Sequence, residues 1–114
     1  MSGHIATTED FEKLDIRVGR VIDVQPFAEG RYSTHILMID FSSEPGTKTS
    51  LAKQAPYYAG PEIVVSPVLA VVNFLPGHIA NHRSKVSTLG VPDENGNVIL
   101  LRPDREAPLG GKLY

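Results

Sequence analysis

Short apolar runs, separated by glycine, proline and other turn residues, are the feature of this sequence that most constrains its fold. They show either period-two alternation or a short continuous apolar stretch, and both patterns are typical of β-strands. The runs are residues 15–24, 34–41, 48–52, 68–74, 84–91 and 98–101. We therefore predict an all-β chain of five or so strands.

The first run, residues 15–24, alternates in the manner of a half-buried strand. Gly19 interrupts the run, and a glycine inside a strand usually marks a bulge or a sharp bend. Arg20 then breaks the apolar parity, which indicates a local change of face. The apolar residues at even positions are Ile16, Val18, Ile22 and Val24.

Helix is scarce in this sequence. Residues 7–14 can form one capped turn, with a threonine cap, acidic residues in the first turn, and Phe11 and Leu14 facing inward. Sandwiches usually need about seven strands, whereas five short strands with a bent first strand suit a small closed barrel. We therefore predict a five-stranded barrel with short helical turns.

The second run carries more apolar surface than one barrel interior can bury. Residues 34–41 read THILMIDF and are apolar on both parities, so both faces of this strand need cover. A two-fold partner is the simplest cover. Phe11, Leu14 and the tail at residues 107–114 can add to it.

Size and composition indicate a single folded domain over residues 1–114. A chain of 114 residues is close to the commonest domain size. Its 11 basic and 13 acidic residues give a formal charge of −2, which disfavours a bulk-cationic binder of nucleic acid or membranes. The absence of cysteine excludes a disulfide framework, a thiol nucleophile, a Cys-based zinc site and an iron–sulfur cluster.

The sequence also favours a cytoplasmic protein without membrane insertion. Its start has no basic segment leading into a long apolar run, so we expect no secretory signal. The longest apolar stretch, around residues 68–75, is far shorter than the ~20 residues of a membrane span.

Patterns for catalysis or metal binding are weak. The sequence has no nucleophile-elbow motif and no phosphate-binding glycine loop. His78 and His82 lie four residues apart, but zinc binding usually needs a third ligand, and the glutamate of the helical zinc motif is missing. We therefore expect a binding module with no enzyme activity, no cofactor and no metal.

The most informative segment is residues 73–89, in the part of the chain between Glu62 and Asp93 that contains no acid. One interpretation is a cationic loop beside an exposed aromatic, which meets phosphates or the backbone of an extended ligand. The other is a solvated connection between strands, and the residues alone favour the two equally. The segment gathers His78, His82, Arg83 and Lys85 around Ile79.

A second candidate is the pair Tyr57 and Tyr58, which lies between prolines. Exposed tyrosines offer rigid amphipathic contact area for a ligand. The alternative, in which the pair plugs one end of the barrel, is the favoured interpretation.

Five phrases occur together in this sequence: FEKLDIRVGRVIDVQPF (11–27), HILMIDF (35–41), GTKTSLA (46–52), AVVNF-x-P (70–76) and VILLRPD (98–104). Together they resemble the tRNA-binding-domain superfamily, and within it the CsaA export-related chaperones. The likeness covers nearly the whole chain in collinear order. The combination of DIRVG, VVNF-x-P and I-A-x-x-x-S (79–84) is specific, whereas any one of these motifs alone is weak.

This resemblance implies an OB-fold barrel, with a core at about residues 11–104 and terminal extensions at 1–10 and 105–114 that build a homodimer. It also implies a secretion chaperone that holds unfolded preproteins without ATP and associates with the export machinery. The alternative that it implies is structure-directed tRNA binding by the same face.

One departure from the superfamily pattern separates these two functions. In the tRNA-binding branches a serine is typically followed by Glu-Gly-Met or a similar triplet, whereas here Ser84 is followed by Lys85-Val86-Ser87. The sequence is therefore more similar to the CsaA branch, although Arg83 and Lys85 partly restore positive charge.

The resemblance and the basic segment together predict one ligand-binding site for a peptide or tRNA. The predicted site residues are Arg17, Lys48, Ser50, Asn73, Phe74, Pro76, His78, Ile79, Arg83, Ser84 and Lys85.

Overall fold

The chain folds around a five-stranded antiparallel sheet that curls into a nearly closed barrel. The structure is a computed structural model. It describes residues 4–27, 34–43, 45–53, 55–58, 60–74, 77–79, 82–84 and 86–114, with the backbone alone described at 77–79 and 82–84.

One helix, two 3₁₀ turns and nine strands occur in the described residues. Helix α1 is Thr8–Glu12, and the 3₁₀ turns are Pro56–Tyr58 and Pro61–Ile63. The strands are β1 (Ile16–Pro26), β2 (His35–Asp40), β3 (Thr47–Ala52), β4 (Pro67–Val71), β5 (Gly77–Ile79), β6 (His82–Ser84), β7 (Ser87–Thr88), β8 (Gly90–Pro92) and β9 (Val98–Leu100). The main sheet has the order β3-β2-β1-β4-β7, while β5–β6 and β8–β9 are separate hairpins. The predicted five-stranded all-β barrel is confirmed.

The predicted single strand at residues 84–91 is wrong. This part of the chain is divided among β6, β7 and β8, which pair with three different strands. At Leu89 the partner changes, because its N–H donates to Leu69 O at 2.9 Å while its own carbonyl accepts from Leu101 N at 3.0 Å. The strand predicted at 68–74 also ends earlier, at Val71.

Strand β1 is bent because it changes partners along its length. Residues 16–20 pair with β4, and residues 20–26 pair with β2. The register shifts between Val21 and Asp23, which leaves Ile22 as a β-bulge. Val21 is fully buried and Ile22 is 43% exposed, so the predicted change of face occurs at Ile22 rather than at Arg20.

Gly19 is a site of close approach rather than the bulge itself. A Cβ atom built at Gly19 would lie 2.7 Å from Cε1 of Phe41 and would also collide with the side chain of Ile39. Both of those side chains are fully buried in the core. Phe41 and Ile39 can therefore pack directly against the backbone of β1 only because residue 19 has no side chain.

The apolar face of β1 that points away from the core is covered within the same chain. Side chains alternate between the two faces along a strand, so Ile16 lies on the other face from Gly19. Its antiparallel partner Val71 lies on the same face as Ile16. Ile16, Val18 and Val71 are nevertheless buried. The C-terminal tail lies along this edge, with Val18 N donating to Gly111 O at 3.0 Å and Leu113 N donating to Ile16 O at 2.8 Å.

Helix α1 has the predicted cap but not the predicted inward face. The Thr7 hydroxyl accepts from Asp10 N at 3.2 Å, and Asp10 Oδ2 accepts in return from Thr7 N at 2.9 Å. Phe11, predicted to face inward, is 41% exposed, and only Leu14 is half-buried. The five-residue helix is too short to turn a continuous apolar stripe toward the barrel.

The edges of the sheet meet where β3 lies against β7. Val86 N donates to Thr49 O at 3.2 Å, and the Ser50 and Thr88 hydroxyls lie 3.2 Å apart. The Thr88 N–H also donates to the Ser50 hydroxyl at 3.4 Å. Side-chain hydroxyls thus complete the closure that backbone pairing begins.

The tyrosine pair ties the first 3₁₀ turn to the β8–β9 hairpin. The Tyr58 hydroxyl accepts from Leu100 N at 2.9 Å, and its ring packs against the core, which agrees with the plug interpretation. The Tyr57 hydroxyl donates to Asp93, and this bond raises the pKa of Tyr57 and lowers the pKa of Asp93. Tyr57 itself remains half-exposed.

In the part of the chain that the structure describes, no helix is long and apolar enough to cross a membrane.

The close approach at Gly19 leads to a stability prediction. We expect Gly19→Ala to lower the free energy of unfolding by about 3 kcal/mol, because the new methyl group overpacks against Phe41 and Ile39. The matched control is Gly60→Ala, where an added Cβ meets only the end of the exposed Glu62 side chain and the cost stays below about 1 kcal/mol. Urea denaturation measures both, and equal midpoints for the two variants would contradict the role of Gly19.

Candidate ligand-binding site

The predicted basic segment forms the β5–β6 hairpin, which follows the end of β4. The register places His78 opposite Arg83 and Gly77 opposite Ser84, and it places Ile79 opposite His82. Strand β6 lies beside β3. Residues 77–79 and 82–84 were predicted as a cationic loop or a connection, and they are instead a short hairpin. Pro76 and Lys85 lie outside the described residues.

The two histidines do not have the helical spacing that a zinc pair needs. His78 lies on β5 and His82 on β6, so they belong to opposite strands of the hairpin. Among the residues whose side chains are described, no group of three or more histidine or acidic residues is arranged to hold a metal ion.

Phe74 is the exposed apolar residue among the predicted site residues with a described side chain. It lies in the bend after β4 and is 49% exposed. An apolar ring left half in water is available contact area for an apolar ligand side chain.

Asn73 holds the bend in place. Its Nδ2 donates to Lys13 O at 2.8 Å, and its Oδ1 accepts from Asp15 N at 2.9 Å. Val72 N adds a bond of 2.8 Å to Asp15 O. These bonds attach the link between α1 and β1 to the residues that follow β4. Phe74 is the next residue in the chain after Asn73, so its backbone position is fixed by the same bonds.

The guanidinium group of Arg17 is bonded to other groups of the same chain. Its Nε and Nη2 donate to the two carboxylate oxygens of Asp15, at 2.8 and 3.3 Å, in a bidentate pair. Its Nη1 donates to Gly110 O at 3.1 Å. Arg17 thus joins the start of β1 to the C-terminal tail, and only about a quarter of its side chain (25%) is exposed.

Ser50 and Lys48 lie in strand β3, on the far side of the barrel from β4 in the order of the sheet. Ser50 is fully buried, and its hydroxyl takes part in the closure with Thr88. Lys48 is half-buried opposite Ile39. The structure thus brings Asn73, Phe74 and the hairpin together in chain order at the end of β4, with Arg17 at the start of the neighbouring strand.

Another concentration of charge was not singled out from the sequence. Arg20 on β1 lies beside Arg102 and Arg105 of the C-terminal segment, around a cavity of about 550 Å³. The one sequence signal for it is that Arg20 breaks the apolar alternation of its strand. Nothing local indicates that residues more than 80 positions apart meet there.

The bonds of Asn73 predict a structural cost that a purely ligand-binding residue would not have. We expect Asn73→Ala to lower the free energy of unfolding by about 1–2 kcal/mol, because the N–H of Asp15 and the carbonyl of Lys13 lose their partner. The neighbouring Phe74→Ala is the control and changes stability by less than about 0.5 kcal/mol, since the ring is half-exposed. Thermal denaturation compares the two, and an Asn73→Ala variant as stable as Phe74→Ala would show that the clamp contributes nothing.

The whole chain is similar to two solved chaperone structures. The CsaA chaperone from Bacillus anthracis is 40% identical, with a TM-score of 0.87 over 97% of this chain and 100% of that one. The CsaA chaperone protein from Picrophilus torridus is 39% identical, with a TM-score of 0.87 over 96% of this chain and 100% of that one. A MetRS-related protein from Pyrococcus horikoshii, at 20% identity and a TM-score of 0.83, shares the fold.

Curated relatives include much longer enzymes. Methionine–tRNA ligase from Pyrococcus horikoshii is 36% identical over 107 residues, and that from Methanosarcina acetivorans is 32% identical over 105 residues. Each match covers 92% of this chain, which spans 14% of the length of the ligase. No protein-family model matches the chain.

The likeness to CsaA extends from end to end on both chains at 39–40% identity, and the matched segments of the ligases are 32–36% identical to this chain. The chain therefore belongs to the CsaA family, within the tRNA-binding-domain superfamily of OB-fold proteins.

Proposed function

We propose that this protein is a cytoplasmic, homodimeric holdase that binds extended segments of unfolded preproteins and acts in their export, rather than an enzyme. The observation that carries the proposal is the end-to-end likeness to CsaA chaperones. The feature of the fold that supports it is the half-exposed ring of Phe74, held on a fixed bend beside the β5–β6 hairpin. No ATP is required. A protein that binds only the unfolded form of a client lowers the free concentration of that unfolded form by mass action.

The client-binding surface that we propose consists of Phe74 and the hairpin. Phe74, with Pro76 and Ile79, supplies the apolar part, and His78, Arg83 and Lys85 supply donors and positive charge for the client backbone. A client held in extended form exposes both apolar side chains and backbone carbonyls, so a surface of mixed character suits it. We assign Arg17, Asn73 and Ser50 a supporting role, because their described hydrogen bonds are made to other parts of the same chain. Lys48, on β3 beside β6, is the further cation that we assign to this surface.

The terminal segments provide the proposed dimer interface. Phe11 and Leu14 line a mainly apolar cavity of about 350 Å³ together with Leu113 and Tyr114. Phe11 and Tyr114 are exposed in the single chain, as is Ile5. Apolar side chains gathered at both ends of a chain favour burial against the same surface of a second copy.

The dimer proposal predicts a change of mass from one substitution. We expect the wild type to have the mass of a dimer in light scattering after gel filtration, and Phe11→Ser to shift it toward the monomer, because a polar group then lies in the interface. Phe74→Ser is the matched control, since it removes a similarly exposed phenyl ring that lies far from both ends of the chain in sequence. A dimer that Phe11→Ser leaves intact would place the interface elsewhere.

The holdase proposal predicts weaker client binding when Phe74 is truncated. We expect Phe74→Ala to weaken binding of an unfolded preprotein about fivefold to tenfold, because a central aromatic contact is lost. Ile99→Ala is the control, since Ile99 is exposed to a similar extent on the β8–β9 hairpin. Suppression of client aggregation, followed by light scattering, measures both variants. The proposal fails if Phe74→Ala suppresses aggregation as well as the wild type.

Structure-directed tRNA binding is the second candidate function, and the matches to methionine–tRNA ligases favour it. It requires several phosphate contacts and hence a steep dependence on salt. Binding of labelled bulk tRNA at about 50 and about 200 mM salt separates the two functions, because phosphate-driven affinity falls by orders of magnitude over that range. Tight, salt-dependent binding that Arg83→Glu abolishes and Phe74→Ala spares would replace the holdase by the tRNA-binding function.

A further inference from the structure

A cleft with three arginines lies at the end of β4 opposite to Phe74. It has a volume of about 550 Å³ and is bounded by the start of β4 at Pro67 and by the C-terminal segment. Arg20 projects from β1, and Arg102 and Arg105 come from the C-terminal segment. We call this feature the arginine cleft.

The guanidinium group of Arg20 is incompletely bonded. Within the described part of the chain, no acceptor reaches its buried Nε. Its ion pair, from Nη2 to Glu106 Oε2, is long at 3.6 Å, and the side chain of Glu106 is 91% exposed. Such an exposed pair contributes little to stability, so another carboxylate can take the place of Glu106 at small cost.

Apolar side chains line the cleft between the charged groups. Val65, Pro67 and Leu109 belong to its lining. Val65 has a φ of +72° and is 67% exposed, although its N–H donates to Val21 O at 2.7 Å. A β-branched residue in the left-handed region is strained, and strain of this kind tends to persist at functional positions.

We propose that the arginine cleft binds a peptide segment in which acidic and apolar side chains alternate. A carboxylate of the segment pairs with Arg20 in place of Glu106, and Arg105 and Arg102 draw further acidic groups to the rim. The apolar side chains between them lie against Val65 and Leu109. This site is separate from the Phe74 surface, and its test does not depend on the proposed function.

The charges of the cleft favour a peptide over a nucleic acid. Asp104 and Glu106 stand among the three arginines, so the described lining carries a net charge of only +1 (three positive, two negative). A nucleic acid presents a continuous row of phosphates, which would meet both carboxylates. An acidic peptide has spaced charges and apolar side chains, and both have partners in this lining.

Fluorescence anisotropy with two synthetic peptides tests the proposal on the full-length protein. One labelled octapeptide alternates leucine and glutamate, and the other alternates leucine and glutamine. We expect the glutamate peptide to bind about tenfold more tightly, because charge-assisted bonds replace neutral ones. We expect Arg105→Gln to weaken its binding about fivefold, and Glu106→Gln to strengthen it about twofold, because the internal competitor is removed.

Lys13→Gln is the control for overall charge, since Lys13 is an exposed cation on the helical segment, outside the cleft. Equal weakening by Lys13→Gln and Arg105→Gln would show attraction by net charge alone and overturn the proposal. Equal affinity for the two peptides, or weaker binding in Glu106→Gln, would also overturn it. Loss of tRNA binding in Arg105→Gln, with no effect on the peptides, would assign the cleft to nucleic acid instead. The holdase proposal is tested separately, through aggregation suppression by the Phe74 variant.

Discussion

Strand β1 is bonded to a different neighbour at each of its ends, and the rest of the barrel is arranged around that change. Arg20 is the residue at which it occurs, since it pairs with Pro67 of β4 and with Asp40 of β2. The missing side chain of Gly19 lets Phe41 pack directly against the strand, and the bulge at Ile22 then turns the second half of β1 over. Before the bulge, Arg17 pairs with Ala70 and Arg20 pairs with Pro67, so the two arginines lie toward opposite ends of the β1–β4 pair. The two proposed binding surfaces are therefore separated by the length of one strand.

The two ends of the described chain contribute to the barrel, and they also carry apolar side chains that the single chain does not bury. Residues 110–113 bond to the edge of β1 that β2 does not cover, which removes an open edge from the sheet. Arg17 strengthens this contact through Gly110, and its charge is balanced by Asp15. Tyr114, directly after this bonded segment, and Phe11, on helix α1, remain exposed. A single copy thus leaves an apolar side chain unburied next to the segment that pairs with β1 and another on the helix that precedes β1.

The sequence predicted what depends on local pattern and missed what depends on distant partners. The strands of the main sheet up to β4, the threonine cap and the tyrosine plug follow from alternation, capping chemistry and the position of prolines. The run at 84–91 looks like one strand because alternation reports burial and not the identity of the partner, which changes at Leu89. In the same way, the exposure of Phe74 follows from its place in a bend held by Asn73, and the arginine cleft requires Arg20 to meet residues from the other end of the chain. A single sequence contains no signal for contacts between residues so far apart in the chain.

The bonds between β1 and residues 110–113 also set an order of events during synthesis. Strand β1 leaves the ribosome before its partners Gly111 and Leu113, which are made almost a hundred residues later. Until then the first strand has an unpaired edge, and Ile16 and Val18 lack the segment that lies beside them in the folded protein. Contacts so distant in sequence are slow to form, because a long loop must close first. The nascent protein therefore passes through a stage at which its own first strand resembles the extended, partly apolar segments that a holdase binds.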